Sequence, residues 1–235
     1  MIRALKDAIK RIVLIVLPNA REWRRKRKLL RDARKNWFLI YQPRRGDIIV
    51  DIGAGRGEDI YAFSRASGPA GRVWAIEAHP ESFGFLARFR DENGLANVTA
   101  LNLACMDKPG QLQIDTLPDW TGNFVRESGS SPASYPVEAI DFDGPCARHG
   151  IGRIDFLKMN IEGAERFALR GMREALGRIR HICICAHDFR AARGEGEEFR
   201  TFDLVVRTLE EAGFKLVFRK DHPSEYIRDH IHGYR

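Results

Sequence analysis

Val50-Asp51-Ile52-Gly53-Ala54-Gly55-Arg56-Gly57-Glu58 decides how this 235-residue chain is read. The apolar run Ile48-Ile49-Val50 leads into it, and Glu58 to Arg65 beyond it suits a helix. A strand that ends in an acid, three alternating glycines and then a helix make a turn whose backbone can approach a ligand closely, because glycine has no Cβ in the way.

Working outward, apolar strands alternate with amphipathic helices. Strands are predicted at 48–52, 73–77, 98–103, 154–160, 181–186 and 214–219, with a last one at 225–232. Helices are predicted at 58–66, 80–93, 165–176 and 202–212, several of them closed by a glycine such as Gly94 or Gly213. This alternation predicts an α/β fold, Rossmann-like, with a mostly parallel seven-stranded sheet covered by helices on both faces. Residues 116–150 interrupt it. They are rich in Gly, Ser, Pro and Asp, follow a short extra strand at 111–115, carry a short strand at 137–140, and read as an inserted lid or substrate-wall loop. The domain is expected over 46–235, preceded by a basic helical arm at 1–45.

In an open α/β sheet, ligands bind beyond the carboxyl ends of the strands. Those ends supply Asp51, Gly53, Ala54 and Gly55 from the first strand, and Glu77 and Ala78 from the second. The third supplies Ala104 and Cys105, the fourth Asn160 and Glu162, and the fifth His187 and Asp188. Glu77 is placed to accept hydrogen bonds from both hydroxyls of an adenosine ribose, a logic shared by NAD and S-adenosylmethionine (SAM) sites. The third glycine at Gly57 departs from GxGxxG. The acid at Asp51 suits the cationic amino group of SAM and would repel a pyrophosphate. The spacing therefore favours SAM.

The series of motifs resembles the FkbM family of SAM-dependent methyltransferases. The glycine stretch quoted above, Ile76-Glu77-Ala78-His79-Pro80, and Ile154-Asp155-Phe156-Leu157-Lys158-Met159-Asn160-Ile161-Glu162-Gly163-Ala164-Glu165 carry the resemblance, with Val137-Glu138-Ala139-Ile140-Asp141 before the last of them. The resemblance implies a class I SAM-dependent methyltransferase that methylates a hydroxyl on a sugar, glycolipid or similar small molecule. Asn160 stands where the family commonly has an acid; an amide can orient a ligand but cannot take a proton.

Methyl transfer from a sulfonium needs alignment above all, and a hydroxyl nucleophile also gains from a general base. His187 is the first candidate base, with Asp188 to hold its tautomer; Glu162 is the second. Glu162 and Asp188 could also hold Mg²⁺ through waters, and no metal ligand set is assigned. His230-x-His232 shows two histidines at strand spacing with no third ligand in view. The Lys158 ammonium is expected at the sheet edge, paired with an acid.

The charge is uneven. Residues 1–45 hold 15 Lys+Arg against 3 Asp+Glu, and the rest 24 against 29. The high pI therefore belongs to the arm. Ile2, Leu5, Ile9, Ile12, Val13 and Val16 recur at helical spacing, and a second helix is expected from Ala20 to Lys35. The apolar run Ile12–Leu17 is too short to span a bilayer, which needs roughly 20 apolar residues. The arm reads either as a membrane-surface anchor through 1–35 or as a helix pair packed on the domain or on a partner subunit. No base-extruding motif is present, so no nucleic-acid partner is expected. Cys105, Cys146, Cys183 and Cys185 show no CxxC spacing; Cys183 and Cys185, at strand spacing in an apolar run, read as buried free thiols, which fits a reducing cytoplasm. The reading from a different class is a non-catalytic SAM-fold scaffold that holds a membrane or protein through the arm.

Overall fold

The computed structural model describes residues 20–115, 125–126 and 134–235. The apolar repeat at 2–16 and the Gly-Ser stretch at 129–133 lie outside the described residues.

Seven strands form the central sheet: β1 Ile48–Ile52, β2 Arg72–Ile76, β3 Val98–Leu101, β8 Ile154–Met159, β9 Ile179–Cys185, β10 Lys215–Phe218 and β11 His230–Tyr234. Their order is β10-β11-β9-β8-β1-β2-β3, and β11 alone among them runs antiparallel, to both its neighbours. A short second sheet joins β4 Ala104–Cys105, β7 Ser134–Ile140, β5 Gly110–Asp115 and β6 Val125–Arg126, in that order. β1 and β8 are buried along almost their whole length, as expected where helices cover both faces of a parallel sheet. The helices are α1 Ala20–Asn36, α2 Glu58–Ser67, α3 Pro80–Glu92, α4 Asp143–Arg148, α5 Glu165–Arg170, α6 Arg173–Leu176, α7 Asp188–Ala192, α8 Phe202–Glu211 and α9 Glu225–Arg228.

Four boundaries differ from the sequence reading, each for a local reason. The expected helix 165–176 is two helices. It breaks at Gly171, where a Cβ would strike the Met106 carbonyl, and the Gly171 carbonyl turns out to accept the Phe142 N–H at 2.8 Å. The Asp143 carboxylate then serves the start of α6, accepting from Glu174 N (3.0 Å) and Ala175 N (2.7 Å). The third strand stops at Leu101, and Ala104–Cys105 pairs with β7 in the second sheet. Much of the expected loop at 116–150 is the long strand β7 and the helix α4, with β5 as the antiparallel partner of β7. The segment 225–232 opens as the helix α9 before β11 begins.

One face of the sheet is closed by aromatic packing that begins before the first strand. Tyr41 stacks on Phe156 (centroids 4.7 Å apart, 3° between planes), and Phe38 and Phe63 meet the Phe156 ring edge-on. α1 joins this layer through buried Ala33 and the half-buried Leu29 and Leu30. The second expected helix of the arm therefore packs on the domain, with its remaining surface outward. Phe156 is 1% exposed at the centre of this cluster. Phe156→Ala should cost about 3–5 kcal/mol of unfolding free energy by the usual penalty for emptying such a site, read from denaturant unfolding; a loss under about 1 kcal/mol would contradict this account of the layer.

Candidate active site

A cleft opens where β1, β2 and β8 end. Gly53 (φ 77°) lets the end of β1 lie against that of β8: a Cβ there would collide with the Asn160 backbone and the Ile161 side chain. The Gly53 and Ala54 N–H groups donate to the Ile76 carbonyl at 2.9 and 3.0 Å, which ties the turn to the end of β2. Gly57 (φ 93°) precedes α2 in the left-handed region.

Glu77 is held by the backbone. Its Oε2 accepts from Gly55 N and its Oε1 from His79 N, both at 2.8 Å. Asn102 Nδ2 donates to the carbonyls of Glu77 and Ala78 at 2.8 and 2.9 Å, fixing the segment from behind. Burial pushes the Glu77 carboxyl up to about 7, against the two backbone donors. Ala78, Leu103, Ala104, Cys105 and Ile114 line the cleft beyond it as a largely apolar wall. Gly53, Ala54, Gly55, Glu77, Ala78, Ala104, Cys105, Asn160 and Glu162 thus all line one cleft.

Asp51 does not. It is fully buried, and its Oδ1 lies 2.8 Å from Lys158 Nζ, across the β1–β8 register that pairs the two residues. Lys158 also donates to the Gly53 carbonyl at 2.7 Å and lies 3.9 Å from Asp59. The cation expected opposite Asp51 is thus a residue of the chain itself. Lys158 lies on the central strand β8, and its ammonium, paired with an acid as expected, reaches the carbonyl just beyond the end of β1. Burial works against its charge, but Asp51, Asp59 and Glu77 outweigh that and hold its pKa above the ordinary lysine value.

His187 is also placed otherwise than a base would need. It is fully buried, with Nε2 3.2 Å from Glu162 Oε1 and Nδ1 3.2 Å from Glu165 Oε1. Burial opposes its charge, yet Cys185, Glu165 and Glu162 around it outweigh burial and hold its pKa well above the ordinary range. An imidazolium clasped by two carboxylates has no lone pair for a substrate proton. Asp188 does not hold its tautomer either: Asp188 Oδ1 accepts from Thr201 N and Phe202 N, both at 2.8 Å, at the start of α8. The acid on Nδ1 is Glu165, which also accepts from Thr201 Oγ1 at 3.1 Å.

Glu162 does reach the cleft. Its backbone is held at φ 53°, a strained conformation for a side-chain-bearing residue. Arg190 donates to its Oε2 at 2.7 Å. Burial raises the Glu162 pKa, but His187 and Arg190 more than reverse this, so it stays below the ordinary carboxylate range. Of the two residues suggested for Mg²⁺, Glu162 is engaged by His187 and Arg190, and Asp188 by backbone N–H groups. Asn160 lies at the mouth of β8; its Nδ2 donates to Tyr226 Oη at 3.4 Å, and its buried Oδ1 has no hydrogen-bond partner.

The sequence reading missed the roles of Glu165 and Arg190. Glu165 closes the quoted 154–165 motif, and Arg190 follows His187 by one helical turn, so the spacing was there to be read. His230 and His232 have a third neighbour after all, the thiol of Cys183, 3.9 Å from His232 Nε2 on the facing strand. Burial pushes the two imidazoles down to about 3 and 4, so both are neutral.

Two outcomes follow from these pairings. Lys158→Met should cost about 3–5 kcal/mol by leaving Asp51 as an unpaired buried charge, and adding Asp51→Asn should restore most of that loss, measured by denaturant unfolding. Equal losses in the single and double variants would contradict the pairing. The His187 pKa is raised on folding, so its contribution is complete below its unfolded value of about 6.5 and is lost as pH rises through the folded value. Stability measured between about pH 7 and pH 9 should therefore fall less steeply in His187→Gln than in the natural chain; parallel curves would contradict a charged His187.

Comparison with known proteins agrees with this fold. A 2-O-methyltransferase, NoeI, of Sinorhizobium fredii (strain NBRC 101917 / NGR234) is 29% identical over 154 residues, covering 57% of this chain and 61% of that protein. The crystal structure of methyltransferase FkbM from Methylobacillus flagellatus KT superposes with a TM-score of 0.54 at 19% identity, over 85% of this chain and 46% of that one. A putative rRNA methylase from Clostridium thermocellum shares the fold at a TM-score of 0.53 and 11% identity, over 86% and 92%. This chain thus spans about three-fifths of NoeI and under half of the FkbM protein. The methyltransferase FkbM domain model matches residues 51–216, which hold every cleft residue named above, and the chain belongs to the FkbM methyltransferase family.

Proposed function

We propose that the protein transfers a methyl group from SAM to a hydroxyl of a saccharide or other small hydroxylated molecule. The observation that carries this reading is the presentation of Glu77. Both its oxygens are fixed by backbone N–H groups in a residue that lines the cleft, and each carboxylate oxygen has a second lone pair with which to accept from one of two vicinal ribose hydroxyls. The residues present fit the rest of the nucleoside and amino acid. The apolar wall of Ala78, Leu103 and Ala104 suits a flat base. The unpartnered Asn160 Oδ1 supplies a buried acceptor for an ammonium. When bound, SAM supplies an electrophilic methyl carbon on a sulfonium with a neutral thioether as leaving group.

The chain's own share of the reaction is then mainly alignment. Glu162 is the cleft carboxylate best placed to accept a hydrogen bond from an acceptor hydroxyl. His187 and Arg190 keep it ionised and hold it in its strained conformation. Its lowered pKa makes it a weak base, so its contribution is orientation: the hydroxyl oxygen bonds the methyl carbon as the carbon–sulfur bond breaks, and the resulting oxonium, a strong acid, gives its proton to solvent water. Oxygen as the acceptor atom is supported by the name of the relative NoeI, and a saccharide by the motif resemblance.

Calorimetry tests the donor. The natural chain should bind SAM, and Glu77→Ala should bind it about 10–100-fold more weakly, the range for losing hydrogen bonds to a charged group. No binding by the natural chain would overturn the reading. With a panel of saccharide acceptors, Glu162→Gln should lower S-adenosylhomocysteine release at least about tenfold with SAM affinity unchanged; full turnover would remove Glu162 from the mechanism.

A further inference from the structure

α1 carries nine Lys and Arg residues against two acids, Glu22 and Asp32. Lys26 pairs with Glu22, and Lys28 and Arg31 with Asp32. Among the described residues, Arg21, Arg24, Arg27, Arg34 and Lys35 form no ion pair with an acid, Arg25 acts on Glu22 only from beyond ion-pair distance, and all six cations are exposed. The helix uses Leu29, Leu30 and Ala33 to pack on the domain, so this charge is displayed on its outer side. Trp23 stands among the cations at 57% exposure, with the Arg27 guanidinium over its ring at 4.6 Å.

The strip does not end with α1. Arg25 lies over the Phe89 ring on α3. One turn away, exposed Phe85 has both Arg88 and Arg56 against its ring. Arg56 belongs to the glycine turn at the cleft. Arginines and the exposed rings of Trp23 and Phe85 therefore form a band from α1, across α3 and its buried Phe89, to the half-buried Arg56 in the turn beside the cleft.

We propose that this band is a docking surface for an anionic lipid bilayer. Charge complementarity sets the sign of the partner: each cation near an anionic leaflet improves partitioning about fivefold. The aromatic rings and the preceding sequence set its class. Trp23 and Phe85 are side chains that settle at a headgroup boundary. The nineteen residues ahead of α1 contain Ile2, Leu5, Ile9, Ile12, Val13 and Val16 at helical spacing between Arg3, Lys6, Lys10 and Arg11, a pattern suited to lying in an interface rather than along a nucleic acid. Docking by this face would bring the cleft edge near the headgroups, where a lipid-linked saccharide presents its hydroxyls; that consequence alone rests on the acceptor proposed above.

The test is co-sedimentation of the full chain with vesicles of phosphatidylglycerol and phosphatidylcholine against vesicles of phosphatidylcholine alone. The protein should bind the first and not the second, and binding should fall as salt is raised. The triple variant Arg21→Gln/Arg24→Gln/Arg27→Gln should bind the anionic vesicles at least about tenfold more weakly, with its melting temperature and SAM affinity unchanged. If the triple variant melts early, the comparison of the two vesicle compositions decides on its own. Equal binding to both compositions, undiminished binding by a folded triple variant, or tighter binding to single-stranded RNA than to the anionic vesicles would each overturn the proposal.

Discussion

Lys158 ties the turn to the sheet. Its ammonium reaches from β8 to the Asp51 carboxylate on the neighbouring strand and to the Gly53 carbonyl at the start of the turn. A lysine this deeply buried is tolerable only with its charge matched. Asp51 and Asp59 match it, with Glu77 contributing across the cleft. The pair fixes the two central strands against each other where they end. Gly53, lacking a Cβ, allows the close approach, and the turn that follows delivers Gly55 N–H to Glu77. The cleft wall is thus built outward from one internal ion pair.

A second buried charge cluster braces the opposite wall. His187, between Glu165 and Glu162, joins the ends of β8 and β9, while Arg190 closes on Glu162 from α7. Together these groups keep an ionised carboxylate at the cleft with its backbone in an unfavourable conformation. Strain of this kind persists only where the surroundings over-determine it. Here the over-determination comes from two charged partners, one on each oxygen. His187, which looks catalytic in the sequence, turns out to hold the carboxylate that faces the cleft.

The fold was legible because its signals are local. Apolar runs of strand length, glycine stops and the alternation of strand and helix required no knowledge of distant contacts. The failures occurred where a distant contact overrides the local pattern. Gly171 breaks a well-patterned helix because the backbone at Met106 crosses it. Ala104–Cys105 leaves the main sheet because β7 offers it a partner. In the site, strand-end position was enough to bring Glu77, Asn160 and Glu162 to one cleft, since topology alone brings strand ends together. Side-chain direction was not legible: Asp51 and His187 sit at strand ends too, but both are turned into the protein, toward charges whose proximity depends on register between strands far apart in sequence.

A crystal structure with S-adenosylhomocysteine tests this arrangement most directly. The account predicts the ribose hydroxyls on Glu77, the amino group against Asn160 Oδ1, and the Asp51–Lys158 pair intact at its present spacing. An amino group bound by Asp51, with Lys158 displaced from it, would contradict the claim that this pair is the internal strut of the site.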